Sequence, residues 1–180
     1  MDTIGTIGLS KYSEVIFYID TYKGDEFANI RKFVKSKRYT GPTKSGVKLT
    51  KRQLEILCKA LSKIPGDLEG ASEGEFARIP VSENWFIWVG INYFNGEYGL
   101  DIRQYLQTEK YTGPSKKGVR LPLDYLGDTM GYCRKMLGVI TNRKERGSAT
   151  IIEQDANVEG SPEGKRTSVE GVPDEYSRYF

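Results

Sequence analysis

The chain has 180 residues, 38% hydrophobic and 28% charged, with a formal net charge of +3; it can form one ordinary domain or two small ones, and its total charge names no partner. It contains no histidine, which removes the commonest general base and metal ligand, and its two cysteines, Cys58 and Cys133, lack the paired spacing of a disulfide framework or zinc site. With no basic stretch leading into an apolar run at the N-terminus and no apolar segment long enough for a bilayer, the chain reads as soluble and intracellular. That places it in the nucleus if eukaryotic, or in the cytoplasm or nucleoid if bacterial or phage.

Charge is unevenly distributed. Glu145 to Phe180 holds eight acidic and four basic side chains, a net −4, which leaves +7 on residues 1–144. A basic body with an acidic tail suits a handler of polyanions, though two unrelated solvated regions would look the same. An internal repeat organises the body. YTGPTKSGVKL at Tyr39–Leu49 recurs as YTGPSKKGVRL at Tyr111–Leu121, with eight of eleven positions identical at an offset of 72. The same offset aligns Ile30-Arg31 with Ile102-Arg103, Phe33 with Tyr105, and Gly24 with Gly96.

In chain order, Ile7 and Leu9 suggest a first strand, and the alternation from Tyr12 to Tyr22 suggests a second. Val15, Phe17 and Ile19 match Ile87, Val89 and Ile91, so that register faces the core. Glu14, Ile16, Tyr18, Asp20 and Tyr22 match Phe86, Trp88, Gly90, Asn92 and Phe94, a polar and aromatic register no core would tolerate twice. Lys23-Gly24 and Asn95-Gly96 then read as hairpin turns. The next strand spans about Glu26 to Lys35, with Ala28 and Ile30 inward, Asn29 and Arg31 outward, and room for a bulge past Lys32. The Gly-Pro-Thr-Lys-Ser-Gly string reads as a hairpin turn that lifts Lys44, before a short strand from Gly46 to Leu49. Thr50 with Gln53 fits a capping box opening a helix with Leu54, Leu57, Leu61 and Ile64 on one face.

Pro65 to Glu75, rich in Gly and acid, reads as a linker that spans at most about 35 Å when extended. The second copy repeats the pattern, with Pro122 at a first helical turn and a stripe of Leu123, Leu126, Met130, Cys133 and Leu137, weakened by Gly127 and Gly131. The expected organisation is a first repeat over 1–64, a linker over 65–75, a second repeat over 76–143 and a disordered acidic tail over 144–180.

Single-stranded nucleic acid exposes phosphates and unstacked bases, so a binder needs cations for one and flat rings for the other. Each copy supplies both: Tyr22, Lys23, Arg31, Tyr39 and Lys44 in the first, and Trp88, Phe94, Arg103, Tyr111, Lys116 and Lys117 in the second. Any one lysine is better explained as a solubilising charge on a structural turn. Retention of Arg31/Arg103 and Lys44/Lys116 while their neighbours drift favours function. Tyr39 and Tyr111 fit packing on the turn equally well, and Phe33 and Tyr105 fit the core if the strand bulges. No carboxylate cluster is kept between copies, since Asp20 meets Asn92 and Asn29 meets Asp101, so a non-enzymatic protein without metal or cofactor is expected.

Ile-Arg followed by an aromatic, then Pro-Thr-Lys-Ser-Gly or Pro-Ser-Lys-Lys-Gly, then Val-x-Leu and a helix, resembles the positive cofactor 4 family of transcriptional coactivator domains that bind single-stranded DNA. The aromatic-x-Gly turns Tyr22-Lys23-Gly24 and Phe94-Asn95-Gly96 belong to the same likeness, which covers both repeats. The resemblance implies an α+β fold of two repeats, each a curved four-stranded antiparallel sheet followed by one helix, paired as an intramolecular pseudo-dimer. It implies stacking by Tyr22 and Phe94, and basic contacts from Lys23, Arg31, Arg103, Lys44, Lys116 and Lys117. The chain departs from the family where Val34 and Leu106 replace a second large aromatic and Asn95 replaces a lysine.

The function expected is binding of single-stranded DNA with little sequence preference, in transcription regulation or in DNA replication and repair. An interaction module recruiting polymerase or other factors is the alternative, and RNA is the alternative ligand, separable only through the 2′-hydroxyl. The tail ending Tyr176-Ser-Arg-Tyr-Phe180 suits a docking peptide for transcription or replication proteins or a plain disordered end. A monomeric pseudo-dimer and a homo-oligomer both remain open.

Overall fold

The computed structural model describes residues 1–66 and 72–155, with side chains as far as Glu145. The first copy consists of β1 (Asp2–Ser10), β2 (Ser13–Tyr22), β3 (Asp25–Lys35), β4 (Thr40–Leu49) and α1 (Lys51–Leu61). The second consists of β5 (Gly74–Ser82), β6 (Trp85–Phe94), β7 (Glu97–Gln107), β8 (Thr112–Pro122) and α2 (Leu126–Asp155). The strands form two four-stranded antiparallel sheets, each in simple chain order and each followed by its helix, the α+β arrangement the repeat implied.

The two hairpins at the sheet tips close as their sequences require. Lys23 and Gly24 take φ values of 52° and 86°, and Asn95 and Gly96 take 53° and 87°. Two successive positive φ angles let a two-residue turn match the twist of the flanking strands, and Gly and Asn adopt them at least cost. The alternation assigned from the sequence then holds: Val15, Phe17, Ile19, Ala28 and Ile30 are buried, as are Ile87, Val89, Ile91, Leu100 and Ile102.

Thr50 caps α1 through a reciprocal pair, accepting from the Gln53 backbone N–H while the Gln53 side chain accepts from the Thr50 N–H. In the second copy Pro122 is still extended (φ −54°, ψ 143°) and ends β8; a single 3-10 turn, Leu123–Tyr125, precedes α2. Leu126, Cys133, Met136 and Ile140 of α2 are buried, while Met130 and Leu137 of the expected stripe are only half-buried. Gly127 and Gly131 do not break the helix. It extends through residues 144–155, part of the stretch read as tail, and the remaining tail residues 156–180 lie outside the described residues. So do 67–71 of the linker, whose last two residues, Gly74 and Glu75, already belong to β5.

Each helix packs across onto the other copy. α1 lies against β5, and the Gln53 side chain donates to the Pro80 carbonyl of that strand at 2.8 Å. From α2, the Tyr132 ring sits 5.2 Å from that of Phe17 and fills the space beside Gly5, so closely that a Cβ there would overlap it. Arg143, further along α2, bridges Glu26 at 2.7 Å and Asp2 at 2.9 Å. The buried residues of both copies form one continuous cluster. The two sheets approach through β4 and β8, and on the faces opposite the core the tip rings Tyr22 and Phe94 are exposed.

Candidate nucleic-acid interface

The outer face of the first sheet carries Tyr18, Tyr22, Phe27 and Phe33 as rings and Arg31, Lys35 and Lys48 as cations, all in the register opposite the core. At the hairpin tip Tyr22 is 56% exposed. The Lys48 ammonium lies 3.8 Å from the Phe27 centroid and 4.9 Å from that of Tyr22, with Lys23 5.5 Å from the latter. Cations over ring faces are held by the ring quadrupole. They keep positive charge and aromatic surface together.

Toward the other end of the sheet lies a bulge. Arg31 pairs with Gly46 and Phe33 with Pro42, so Thr43, Lys44 and Ser45 stand opposite Lys32 alone. The surplus residues are held from both sides. The Thr43 hydroxyl donates to the Lys32 carbonyl at 2.8 Å and accepts from the Ser45 N–H, while Arg31 donates to the Thr43 carbonyl at 2.9 Å. The second copy repeats this with Ser115, Lys116 and Lys117 opposite Gln104 and Arg103 donating to the Ser115 carbonyl at 3.2 Å. The expected hairpin turn at Gly-Pro-Thr-Lys-Ser-Gly is therefore corrected: the string lies inside β4, and the short strands from Gly46 and Gly118 begin at Thr40 and Thr112.

The reversal occurs just before that string. Ser36 N–H donates to the Tyr39 carbonyl, and its hydroxyl closes the loop in both directions; Thr108 and Tyr111 do the same. The hydroxyls at Ser36 and Thr108, kept at the same offset, are the signal that marks the turn. Tyr39 and Tyr111 lie over Gly41 and Gly113, and the Tyr39 hydroxyl donates to the Pro42 carbonyl at 2.6 Å. Both rings also remain about half exposed, 51% and 54%, so packing on the strand leaves a surface available.

The bulge explains Gly46 and Gly118. A Cβ on Gly46 would sit 2.8 Å from the Ile30 carbonyl oxygen and 2.9 Å from Arg31 Cα. Since both are backbone atoms, the sheet itself would have to open. Gly46→Ala is expected to lower the unfolding free energy by about 1–3 kcal/mol, measured by denaturant titration, and an unchanged midpoint would show that the bulge yields freely.

In the second sheet the outer face holds Phe86, Trp88, Phe94 and Tyr105 with Arg78, Arg103 and Arg120. Phe94 is 59% exposed at the tip, 6.0 Å from the Arg120 guanidinium carbon. Here the arginines are tied into the sheet. Arg103 pairs with Asp101 at 3.0 Å; Asp101 also accepts from Asn92, which accepts from Arg120 at 2.9 Å. Asp101 is only 4% exposed although it points to the outer face, because these donors cover it. Arg120 also donates to the Glu97 carbonyl and fills the space above Gly99, where the first copy has Phe27. Phe27, Lys48, Phe86 and Arg120 join the two faces, and their positions in the outward register are the signal that marks them.

The two bulges meet near the β4–β8 approach. Half-burial, and then the Arg31 guanidinium of the other copy, hold the Lys117 ammonium below the usual lysine range. Lys44 and Lys116 are exposed. Thus Tyr22 and Lys23 share the first tip, Phe94 stands at the second, and Arg31, Lys44, Arg103, Lys116 and Lys117 belong to the paired bulges. Among the described residues no group of three or more Cys, Asp or Glu side chains converges as a metal site, and no helix is long and apolar enough to cross a membrane.

No family model matches the chain, and no curated protein matches it. Among solved structures it is similar to BPSL1147, a PC4 homolog from Burkholderia pseudomallei K96243, in two crystal forms. The tetragonal form shows 16% identity and a TM-score of 0.30, covering 33% of this chain and 90% of that one. The orthorhombic form shows the same identity and TM-score over 33% of this chain and 82% of that one.

Proposed function

We propose that this chain binds single-stranded DNA across the outer faces of its two sheets, with little sequence preference, in transcription regulation or in DNA replication and repair. The observation that carries the reading is the interleaving of rings and cations on the sheet face opposite the core, most compactly Lys48 between Tyr22 and Phe27. Unstacked bases offer their π-faces to such rings while the phosphates follow the cations; a duplex hides those faces inside its stack. The contacts need no base-edge hydrogen bonds, which is why sequence preference is weak. Tyr22, Lys23, Arg31, Tyr39 and Lys44 serve the first copy, and Trp88, Phe94, Arg103, Tyr111, Lys116 and Lys117 the second.

Fluorescence anisotropy with labelled single-stranded and duplex DNA across a salt series tests this. Preferential single-strand binding is expected, weakening with salt at a log–log slope of about −0.7 per phosphate contacted. A matched RNA strand bound more tightly would move the ligand to RNA. Absence of any single-strand preference would overturn the reading in favour of a protein-interaction module.

A further inference from the structure

Resting on the single-strand reading, we propose that the second copy carries a base-stacking platform of Phe86, Trp88 and Tyr105 that the first copy lacks. A bound strand is then held asymmetrically, by stacking on the second sheet and chiefly by cations on the first. Tyr105 meets both other rings: it stacks on Phe86 with centroids 5.5 Å apart at 28°, and meets Trp88 tilted, 6.0 Å apart at 33°. The Trp88 indole folds down over Gly90, filling the space a side chain there would need. Phe86 is buried, with the Arg78 guanidinium carbon 4.9 Å from its centroid, and that guanidinium is held by Glu75 at 2.9 Å. Trp88 and Tyr105 are half-buried, leaving part of each ring to solvent. A shallow depression of about 180 Å³, with Arg78, Pro80, Phe86 and Gln107 in its walls, adjoins the cluster.

The matching positions of the first copy hold Glu14, Ile16 and Phe33. Glu14 is tied to Lys35 at 2.9 Å, and Tyr18, in the place of Gly90, is buried and meets Phe33 edge-on at 84°. A base arriving there meets a carboxylate, an aliphatic side chain and a ring edge rather than an aromatic surface. Outside the bulges the cations divide the other way. Arg78 and Arg103 are each paired with a carboxylate, and Arg120, 6.0 Å from the Phe94 centroid, is also bonded to Asn92 and the Glu97 carbonyl, whereas Lys23 and Lys48 lie over rings at the first tip.

The chain has two tryptophans, Trp85 and Trp88, so Trp85→Phe leaves Trp88 as the single reporter. Titration of that protein with a thymidylate oligonucleotide is expected to quench Trp88 emission in step with the anisotropy of the labelled strand. Trp88→Ala is expected to weaken binding about 5- to 150-fold at every salt concentration without changing the salt slope. Trp88→Phe should restore most of that loss, and Ile16→Ala, the matching change in the first copy, should leave the isotherm in place. Emission that does not move at saturation, or equal losses from Trp88→Ala and Ile16→Ala, would overturn the asymmetry while leaving single-strand binding intact. If Trp88→Ala does not fold, quenching in the Trp85→Phe protein decides the matter. A wild-type chain that binds no oligonucleotide would remove the single-strand reading, and the platform's role with it.

Discussion

Replacing Phe17 with Ala is expected to destabilise the entire protein, not only the first copy, by about 3–5 kcal/mol. Phe17 is fully buried in β2, and its ring meets Tyr132 from α2 of the second copy. Removing it empties a site walled by both repeats, and the surroundings relax only partly around such a cavity. For a chain of this size the melting midpoint should fall by on the order of 10 °C. Because one core runs through both copies, tryptophan emission, which reports the second copy alone, should lose its native signal together with far-ultraviolet circular dichroism. Two separated transitions would show that the copies are independent domains that merely touch. Phe17→Leu, which keeps most of the volume, should give the same single transition at a smaller loss.

The second large effect is expected from the paired arginines. Arg31 and Arg103 each donate to a bulge carbonyl, so the sheet itself gives a reason for their recurrence besides any contact with phosphate. The two roles separate by substitution. Changing both to Ala should reduce the magnitude of the salt slope by about 1.4 if each arginine meets one phosphate of a single strand. Changing both to Lys keeps the charge but loses the planar fork, so the slope should persist while stability falls by about 1 kcal/mol or less per bond. A wild-type slope in the Arg31→Ala/Arg103→Ala protein would mean that the arginines only hold the bulges in place, and that phosphate contacts must be sought at Lys23, Lys44 and Lys48.

Arg103 differs from Arg31 in a way that bears on this test. Its partner Asp101 replaces Asn29, so the second copy adds an ion pair of 3.0 Å where the first has an amide donating to the Phe27 carbonyl. Single substitutions should therefore be unequal, with Arg103→Ala leaving a buried carboxylate short of a partner and costing more stability than Arg31→Ala. The same asymmetry runs through the tips, where Lys48 lies 3.8 Å from the Phe27 centroid while Arg120 fills the space above Gly99 and stands 6.0 Å from that of Phe94.

Short-range chemistry governs the features legible in the residues alone. Two-residue alternation set which side of β2, β3, β6 and β7 faces the core; Lys23-Gly24 and Asn95-Gly96 set the tips; Thr50 and Gln53 set the start of α1. Comparison of the two copies sharpened each of these, because a residue kept or changed at an offset of 72 shows which register burial constrains. The outward rings and cations were legible for the same reason: they occupy the positions the core does not need.

Features that depend on distant partners emerge only in the closed chain. A Gly-Pro-Thr-Lys-Ser-Gly string has turn composition, and only the pairing of Arg31 with Gly46 and Phe33 with Pro42 makes it a bulge within a strand. Nothing local assigns α2 to the first copy; Tyr132 finds Phe17 and Gly5 there, and Arg143 finds Asp2 and Glu26, because one helix per sheet must bury its apolar stripe against whichever surface completes a common core. Likewise Asp101 matches the outward Asn29 in sequence, and only Asn92, Arg103 and the sheet around it enclose its carboxylate. Local sequence selects the conformation of a few neighbouring residues. Which of those pieces share a wall is settled only when the chain closes and every buried donor must find its acceptor.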